Sequence, residues 1–321
     1  MRTITLEEHY ATPAFIEGPG RQLKSRAAAP GGALLLERLY DLGDRRIADM
    51  DAAQIDVQVL SLTSPGTEQL GPAEAGSISR QVNEILAKAI QRHPTRLYGF
   101  AALPTADPPA ASAELERAVR DYGFKGAMIN GHVRGRYLDD QFFWPTLECA
   151  ESLGVPIYIH PTLPPKPVID ASYGGFPPAV TELLAGPGWG WHIETAVHVL
   201  RLILGGVFDR FPKLQVMIGH MGEALPFMLP RFENMPRDVI KIRRPVAAYL
   251  RENVHYTFSG FNFTSTFLDL LLEVGVDRIM FSADYPYASM ERARSFLEQL
   301  PVSSADRERI AHGNAEKLFG L

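Results

Sequence analysis

A single cysteine in 321 residues excludes an intrachain disulfide and a zinc cluster built on thiolates. That residue, Cys149, lies in Leu147-Glu148-Cys149-Ala150-Glu151, a helical pattern, and reads as a packing residue rather than a nucleophile. Long hydrophobic runs are missing too: none nears the ~20 residues of a membrane span, and no basic segment with an apolar h-region precedes the first strand around Ile4. Charge of one sign is not concentrated anywhere. The 37 acidic and 32 basic residues give a net charge of −5 without a long run, which offers no footprint for nucleic acid. Together these absences predict a cytoplasmic protein with neither membrane nor nucleic-acid partner. The 46% of hydrophobic residues supplies a substantial core, and 321 residues suffice for two ordinary domains or one large α/β barrel.

Eight short apolar runs decide between these. They lie at Ile4 to Tyr10, Val57 to Leu62, Leu97 to Pro104, Gly126 to Asn130, Val155 to Pro161, Leu214 to His220, Val254 to Ser259 and Ile279 to Asp284. Helical periodicities fall between them: Ile78, Val82, Ile85, Leu86, Ala89 and Ile90 run up to Pro94, and Leu115, Ala118, Val119 and Tyr122 stop at Gly123. A helix over about 44–54, another over about 193–204 and one starting near Glu223 continue the alternation. No change of composition interrupts it, so the pattern predicts one (β/α)₈ TIM barrel, a single domain over residues 1–321, rather than a doubly wound sheet. Two stretches stand outside the pattern. Thr12 to Gly32 is a segment containing Pro and Gly, and Thr162 to Trp191 exceeds ordinary connection lengths and reads as a functional loop. Tyr173, Phe176, Trp189 and Trp191 in the latter are candidates either to wall an aromatic ring or to pack the loop onto the barrel or a second subunit.

Chemistry in such a barrel sits at the carboxyl ends of the strands. Glu7 and His9 on the first strand share a face because residues two apart do, and Glu8 faces the other way. His160 ends the fifth strand, His220 the sixth and Asp284 the eighth. Two carboxylates and three imidazoles at one mouth make a shell for one divalent cation plus an acid/base group, with Zn²⁺ or Mn²⁺ suited to the donors. His132, after the fourth strand, and His192, at the end of the long loop, are candidates for substrate contact, with Trp189 and Trp191.

The pieces Leu6-Glu7-Glu8-His9, Ile159-His160-Pro161, Glu194-Thr195-Ala196-Val197-His198, Gly219-His220-Met221-Gly222-Glu223 and Phe281-Ser282-Ala283-Asp284-Tyr285-Pro286 resemble the amidohydrolase superfamily. In order and spacing they are similar to its metal-dependent aromatic acid decarboxylases, the branch of γ-resorcylate and 2,3-dihydroxybenzoate decarboxylase. The resemblance implies that Glu7, His9, His160 and Asp284 bind one divalent metal ion, with His220 beside it, Glu223 orienting His220, and no organic cofactor. Hydrolytic relatives often carry His-x-His on strand one and a bridging lysine on strand four. This chain has Glu7 in place of the first histidine, Asn130 at the end of strand four, and Lys125 at that strand's wrong end, which argues against a second metal held by a lysine carbamate. Relatives generally form oligomers, so a homo-dimer or homo-tetramer is expected.

The expected activity is nonoxidative decarboxylation of an ortho-hydroxylated benzoate, a small aromatic carboxylic acid. Losing CO₂ first would leave an aryl carbanion without an electron sink, so the ipso carbon is protonated first, with Asp284 as donor and His220 and Glu223 tuning it. Carboxylation of phenols is the reverse reaction. A metal-dependent hydrolase or hydratase is the alternative use of the same site, and a noncatalytic metal-binding barrel is the third reading.

Overall fold

The computed structural model describes residues 1–29, 32–236 and 239–321. It is a (β/α)₈ barrel. Its parallel strands are β1 (Ile4–Tyr10), β2 (Val57–Leu62), β3 (Leu97–Gly99), β4 (Ala127–Asn130), β5 (Ile157–His160), β6 (Val216–Ile218), β7 (Val254–Thr257) and β8 (Ile279–Met280). Among the described residues the ladders form β1-β2-β3 and β4-β5-β6-β7-β8. An isolated parallel bridge between Ala101 and Ala127 joins the two groups.

The barrel's inner face below the mouth is apolar. Ile4, Leu6, Val57, Val59, Phe100, Met128, Tyr158, Met217 and Met280 pack together, and Ala315 and Phe319 of the C-terminal helix close the amino-terminal end. Lys125 lies at that closed end, its Nζ donating to the Phe319 carbonyl at 3.4 Å, away from the carboxyl ends of the strands. Along each strand the next inward residue after this layer reaches the mouth, which is how His160 comes to follow Tyr158 and Asn130 to follow Met128.

On β1 the alternation is broken. Thr5 pairs with Gln58 and Glu8 with Leu60, so β1 spends three residues where β2 spends two. That is a β-bulge over Leu6 and Glu7. Strict alternation would turn Leu6 away from Glu7 and His9; with the bulge Leu6 joins the inner core while Glu7 and His9 still face the mouth.

Glu8 points elsewhere and closes the seam between β1 and β8. Its Oε1 accepts from the Ala283 N–H at 2.8 Å and its Oε2 from the Tyr285 N–H at 3.0 Å, while the His9 N–H donates to the Tyr285 carbonyl at 2.7 Å. One side chain thus satisfies backbone donors that a longer strand would have paired. Burial pushes its carboxyl up to about 8, against the pull of those two N–H groups. Arg46, fully buried, fastens the same strand from outside, its Nη2 donating to the His9 carbonyl at 2.7 Å and its Nη1 to Gln58 Oε1 at 3.1 Å.

Several elements differ from their expected extent. β3, β6, β7 and β8 are shorter than their apolar runs, because buried residues beyond the ladder at the barrel ends are as apolar as strand residues. The segment over 12–32 contains the helices Pro13–Glu17 and Gln22–Ala28, with residues 30 and 31 outside the described part. The stretch over 162–191 is not one open loop but carries helical turns over Lys166–Val168 and Ile169–Tyr173 and a helix over Pro178–Ala185, with the next helix already begun at Gly190. The helix expected near Glu223 starts two residues later, at Leu225.

The seam is testable. Glu8→Ala leaves two buried N–H groups unpaired and is expected to lower stability by about 2–4 kcal/mol. Denaturant unfolding measures that loss, and metal analysis of the same variant should show metal content unchanged.

Candidate metal centre at the barrel mouth

Glu7, His9, His160 and Asp284 present one ligand atom each within 4.8 Å of one another, a group able to hold a metal ion. His9 Nε2 stands 3.2 Å from Asp284 Oδ1, and His160 Nε2 stands 3.4 Å from Glu7 Oε1. The fit of a cation is visible in the polar atoms themselves: Glu7 Oε1 and His9 Nε2 are buried and accept or donate no hydrogen bond. Burying such groups unpaired costs several kcal/mol each, which a divalent ion between them removes. Two carboxylate oxygens and two imidazole nitrogens are hard-to-borderline donors, suited to Mn²⁺ or Zn²⁺.

The residues around these four hold them in place. Glu7 Oε2 accepts from the Tyr158 and Ser259 hydroxyls. Tyr158 also shares a hydrogen bond with Thr257 Oγ1 at 2.7 Å, and the Ser259 N–H donates to Ser282 Oγ at 2.8 Å. Gly219 is needed at the end of β6 for space alone, since a Cβ there would overlap Glu7 Oε2 and stand 2.8 Å from Ser259 Oγ. Burial pushes the Glu7 carboxyl above the usual range, opposed by the charge on His220. Burial, with His9 and His220 alongside, holds His160 well below the usual imidazole range, leaving it in the neutral form that has a lone pair to give.

His220 and Glu223 form the second layer. His220 Nδ1 lies 2.7 Å from Glu223 Oε1, and His220 Nε2 is 3.9 Å from Glu7 Oε1. Burial disfavours a charge on His220, but the carboxylates of Glu223 and Glu7 outweigh it and push the imidazole up to about 10. For Glu223 the same burial is outweighed by His220 and His192, and its carboxyl falls below the usual range. Glu223 thus favours the charged form of His220, and His220 the charged form of Glu223. Backbone geometry supports the cluster: His220, Met221, Glu223, Ala224, Ser259 and Asp284 all have φ between 47° and 67°. Non-glycine residues in that region cost roughly 1–2 kcal/mol each, and they gather at functional sites.

The four expected substrate contacts separate. His192 Nδ1 lies 2.5 Å from Glu223 Oε2, and the Trp191 indole N–H donates to His192 Nε2 at 3.1 Å, so both belong to the framework behind His220. His132 Nδ1 accepts from the Gly135 N–H at 2.9 Å and fastens the turn after β4. Trp189 is half exposed, as is Phe176, while Tyr173 is buried. Cys149 is partly buried with its thiol raised by burial, the setting of a packing residue. Sequence reasoning missed Tyr158, Ser259, Arg46 and Phe261. Tyr158 carried a signal, two residues before His160 on the same face. Phe261 lies after β7 with its ring 5.3 Å from both His192 and His220, and the sequence around it gave no sign of that.

A parallel (β/α)₈ barrel with a buried carboxylate–histidine cluster at the carboxyl ends of its strands defines a metal-dependent barrel enzyme. A family model described as amidohydrolase matches residues 34–321. The γ-resorcylate decarboxylase of Polaromonas sp. strain JS666 is 37% identical over 332 residues, covering 99% of this chain and 98% of that protein. That of Rhizobium sp. strain MTP-10005 is 38% identical, with the same shares covered. A crystal structure of 2,6-dihydroxybenzoate decarboxylase with bound 2,6-dihydroxybenzoate superposes with a TM-score of 0.91 at 37% identity over all of both chains. A dihydroxybenzoic acid decarboxylase from Polaromonas sp. JS666, with bound manganese and the inhibitor 2-nitroresorcinol, also gives 0.91, covering all of this chain and 97% of that one. The chain belongs to the amidohydrolase family.

Two substitutions test the centre by elemental analysis. His160→Ala is expected to lose the metal, and Gly219→Ala to weaken metal affinity about 10- to 100-fold by displacing Glu7, with far-ultraviolet circular dichroism unchanged in both.

Proposed function

We propose that this chain is a metal-dependent, nonoxidative decarboxylase of ortho-hydroxylated benzoates, with 2,6-dihydroxybenzoate as its first candidate substrate. The observation that carries this is the pairing of end-to-end identity to γ-resorcylate decarboxylases with a mouth in which Glu7, His9, His160 and Asp284 converge. In this reading those four residues hold one divalent ion. Bound there, such an ion would supply charge neutralisation for an anionic substrate.

The chain's own groups then move one proton. The ortho hydroxyl gives its proton to Asp284, whose carboxylate stands at the mouth beside His9. Asp284 returns that proton to the ipso carbon, breaking ring aromaticity, with the phenolate supplying the electron density. The bond to the carboxyl carbon breaks, its electron pair restores the ring, and CO₂ leaves. The product phenolate takes a proton from water on release, so each turnover consumes one proton overall. The His220 imidazolium, held by Glu223, keeps positive charge beside Glu7 and limits the negative charge that accumulates at the mouth. Tyr287, whose ring lies 5.5 Å from that of His9, and Phe261 supply aromatic walls.

The chain acts as a homo-oligomer in this reading. Phe227 on the helix Leu225–Glu233 and Leu272 on the packed helix Thr264–Val274 are 75% and 83% exposed, large apolar side chains that a second copy would cover. No helix among the described residues is long and apolar enough to cross a membrane.

Protein loaded with Mn²⁺ should convert 2,6-dihydroxybenzoate to resorcinol and CO₂, and in ²H₂O place one deuterium on the carbon that carried the carboxylate, as read by proton NMR. Chelation should abolish turnover and added Mn²⁺ restore it. Asp284→Asn should lower kcat about 10²- to 10⁴-fold. Lactone or amide hydrolysis without decarboxylation would overturn the proposal.

A further inference from the structure

Glu223 is held from two sides. One oxygen faces His220 Nδ1 at 2.7 Å and the other faces His192 Nδ1 at 2.5 Å, with the two imidazole rings 4.7 Å apart and nearly edge to face. Glu223 is itself buried and follows three positive-φ positions, so the backbone turns its side chain inward and the two imidazoles fix where its oxygens lie. The tautomer of His192 follows from its other nitrogen. The Trp191 indole N–H can only donate, and it donates to Nε2 at 3.1 Å, so the proton of neutral His192 sits on Nδ1 and is directed at Glu223. The Pro187 carbonyl stands 3.2 Å from the same Nε2 and is the acceptor for that nitrogen when the ring is protonated. In either state Nδ1 donates to Glu223. Of the two groups that face Nε2, Trp191 sits beside His192 in the first turn of the helix Gly190–Leu204, and Pro187 belongs to the long segment between β5 and that helix.

We infer that His192 is a positioning residue for the reaction: it clamps Glu223 so that its other oxygen meets His220, and it ties that pair to the 162–191 segment through Nε2. The segment then acts on the chemistry through the Pro187 contact. His192 itself has no ring nitrogen left over for substrate. The inference rests on the decarboxylase reading for its kinetic arm only. A metal ion held by His192, His220 and Glu223 is the competing use of the same three side chains.

The test compares His192→Ala and His192→Gln with His192→Asn, whose side-chain amide places an N–H near the position of Nδ1. In Mn²⁺-loaded protein with 2,6-dihydroxybenzoate, Ala and Gln should lower kcat about 10- to 100-fold with KM changed less than about threefold, and Asn should recover to within about threefold of the parent. In the Zn²⁺-loaded protein, proton NMR should show two far-downfield imidazole N–H resonances, one of which disappears in His192→Ala while the other shifts. Elemental analysis should give one metal per chain in the parent and in each variant. Unchanged kcat in His192→Ala, equal impairment of Asn and Ala, or a second metal lost on substitution would each overturn the inference. If the parent shows no decarboxylation, the NMR and metal arms still decide the clamp, and only the functional reading fails.

Discussion

A carboxylate sealed inside the barrel without a partner for one of its oxygens is the constraint on which this structure depends. Glu7 is fully buried, and its Oε2 is satisfied by Tyr158 and Ser259, but Oε1 has no hydrogen-bond partner and lies near the imidazoles of His160 and His220. Such a group is tolerable where positive charge stands against it. His220, whose charged form Glu223 favours, stands 3.9 Å from that oxygen, and an ion among Glu7, His9, His160 and Asp284 would bring positive charge directly against it. The bulge in β1, the bare backbone at Gly219 and the Tyr158 hydroxyl beneath His160 all bring that one oxygen to the centre of the mouth.

Holding charged groups this close requires a rigid rim, and the rim is built from side chains more than from sheet. β8 has only two ladder residues, after which Glu8 takes over the pairing of the Ala283 and Tyr285 N–H groups. Arg46 does the corresponding work on the outer side by binding the His9 carbonyl. The run of left-handed residues from His220 to Ala224 turns two functional side chains inward within four positions, which a regular helix start would not do. Hydrogen-bonded and packed surroundings offset the local backbone cost.

Much of this was legible in the sequence. Eight apolar runs between amphipathic periods established the barrel, and ionisable residues at the ends of strands one, five, six and eight marked its working end. Those signals are local, since strand parity and helix period are read over a few residues. Boundaries were less legible. The runs at Leu97 to Pro104 and Ile279 to Asp284 look like long strands because buried loop residues at a barrel mouth are as apolar as strand residues. The segment over 162–191 looked like open loop because its prolines and glycines hide short helical turns.

The sequence by itself determined the fold class, the residue types at the mouth and the replacement of a first histidine by Glu7 and of a lysine by Asn130. Only the tertiary structure decided which groups support them. Tyr158 and Ser259 lie 151 and 252 residues from Glu7, and Ala283 lies 275 residues from Glu8. His192, a candidate for substrate contact from the chain alone, has its Nδ1 against Glu223. Hydrogen-bond partners at such separations leave no periodicity along the chain, because they are set by how eight strands close on one another and by a single extra residue in β1.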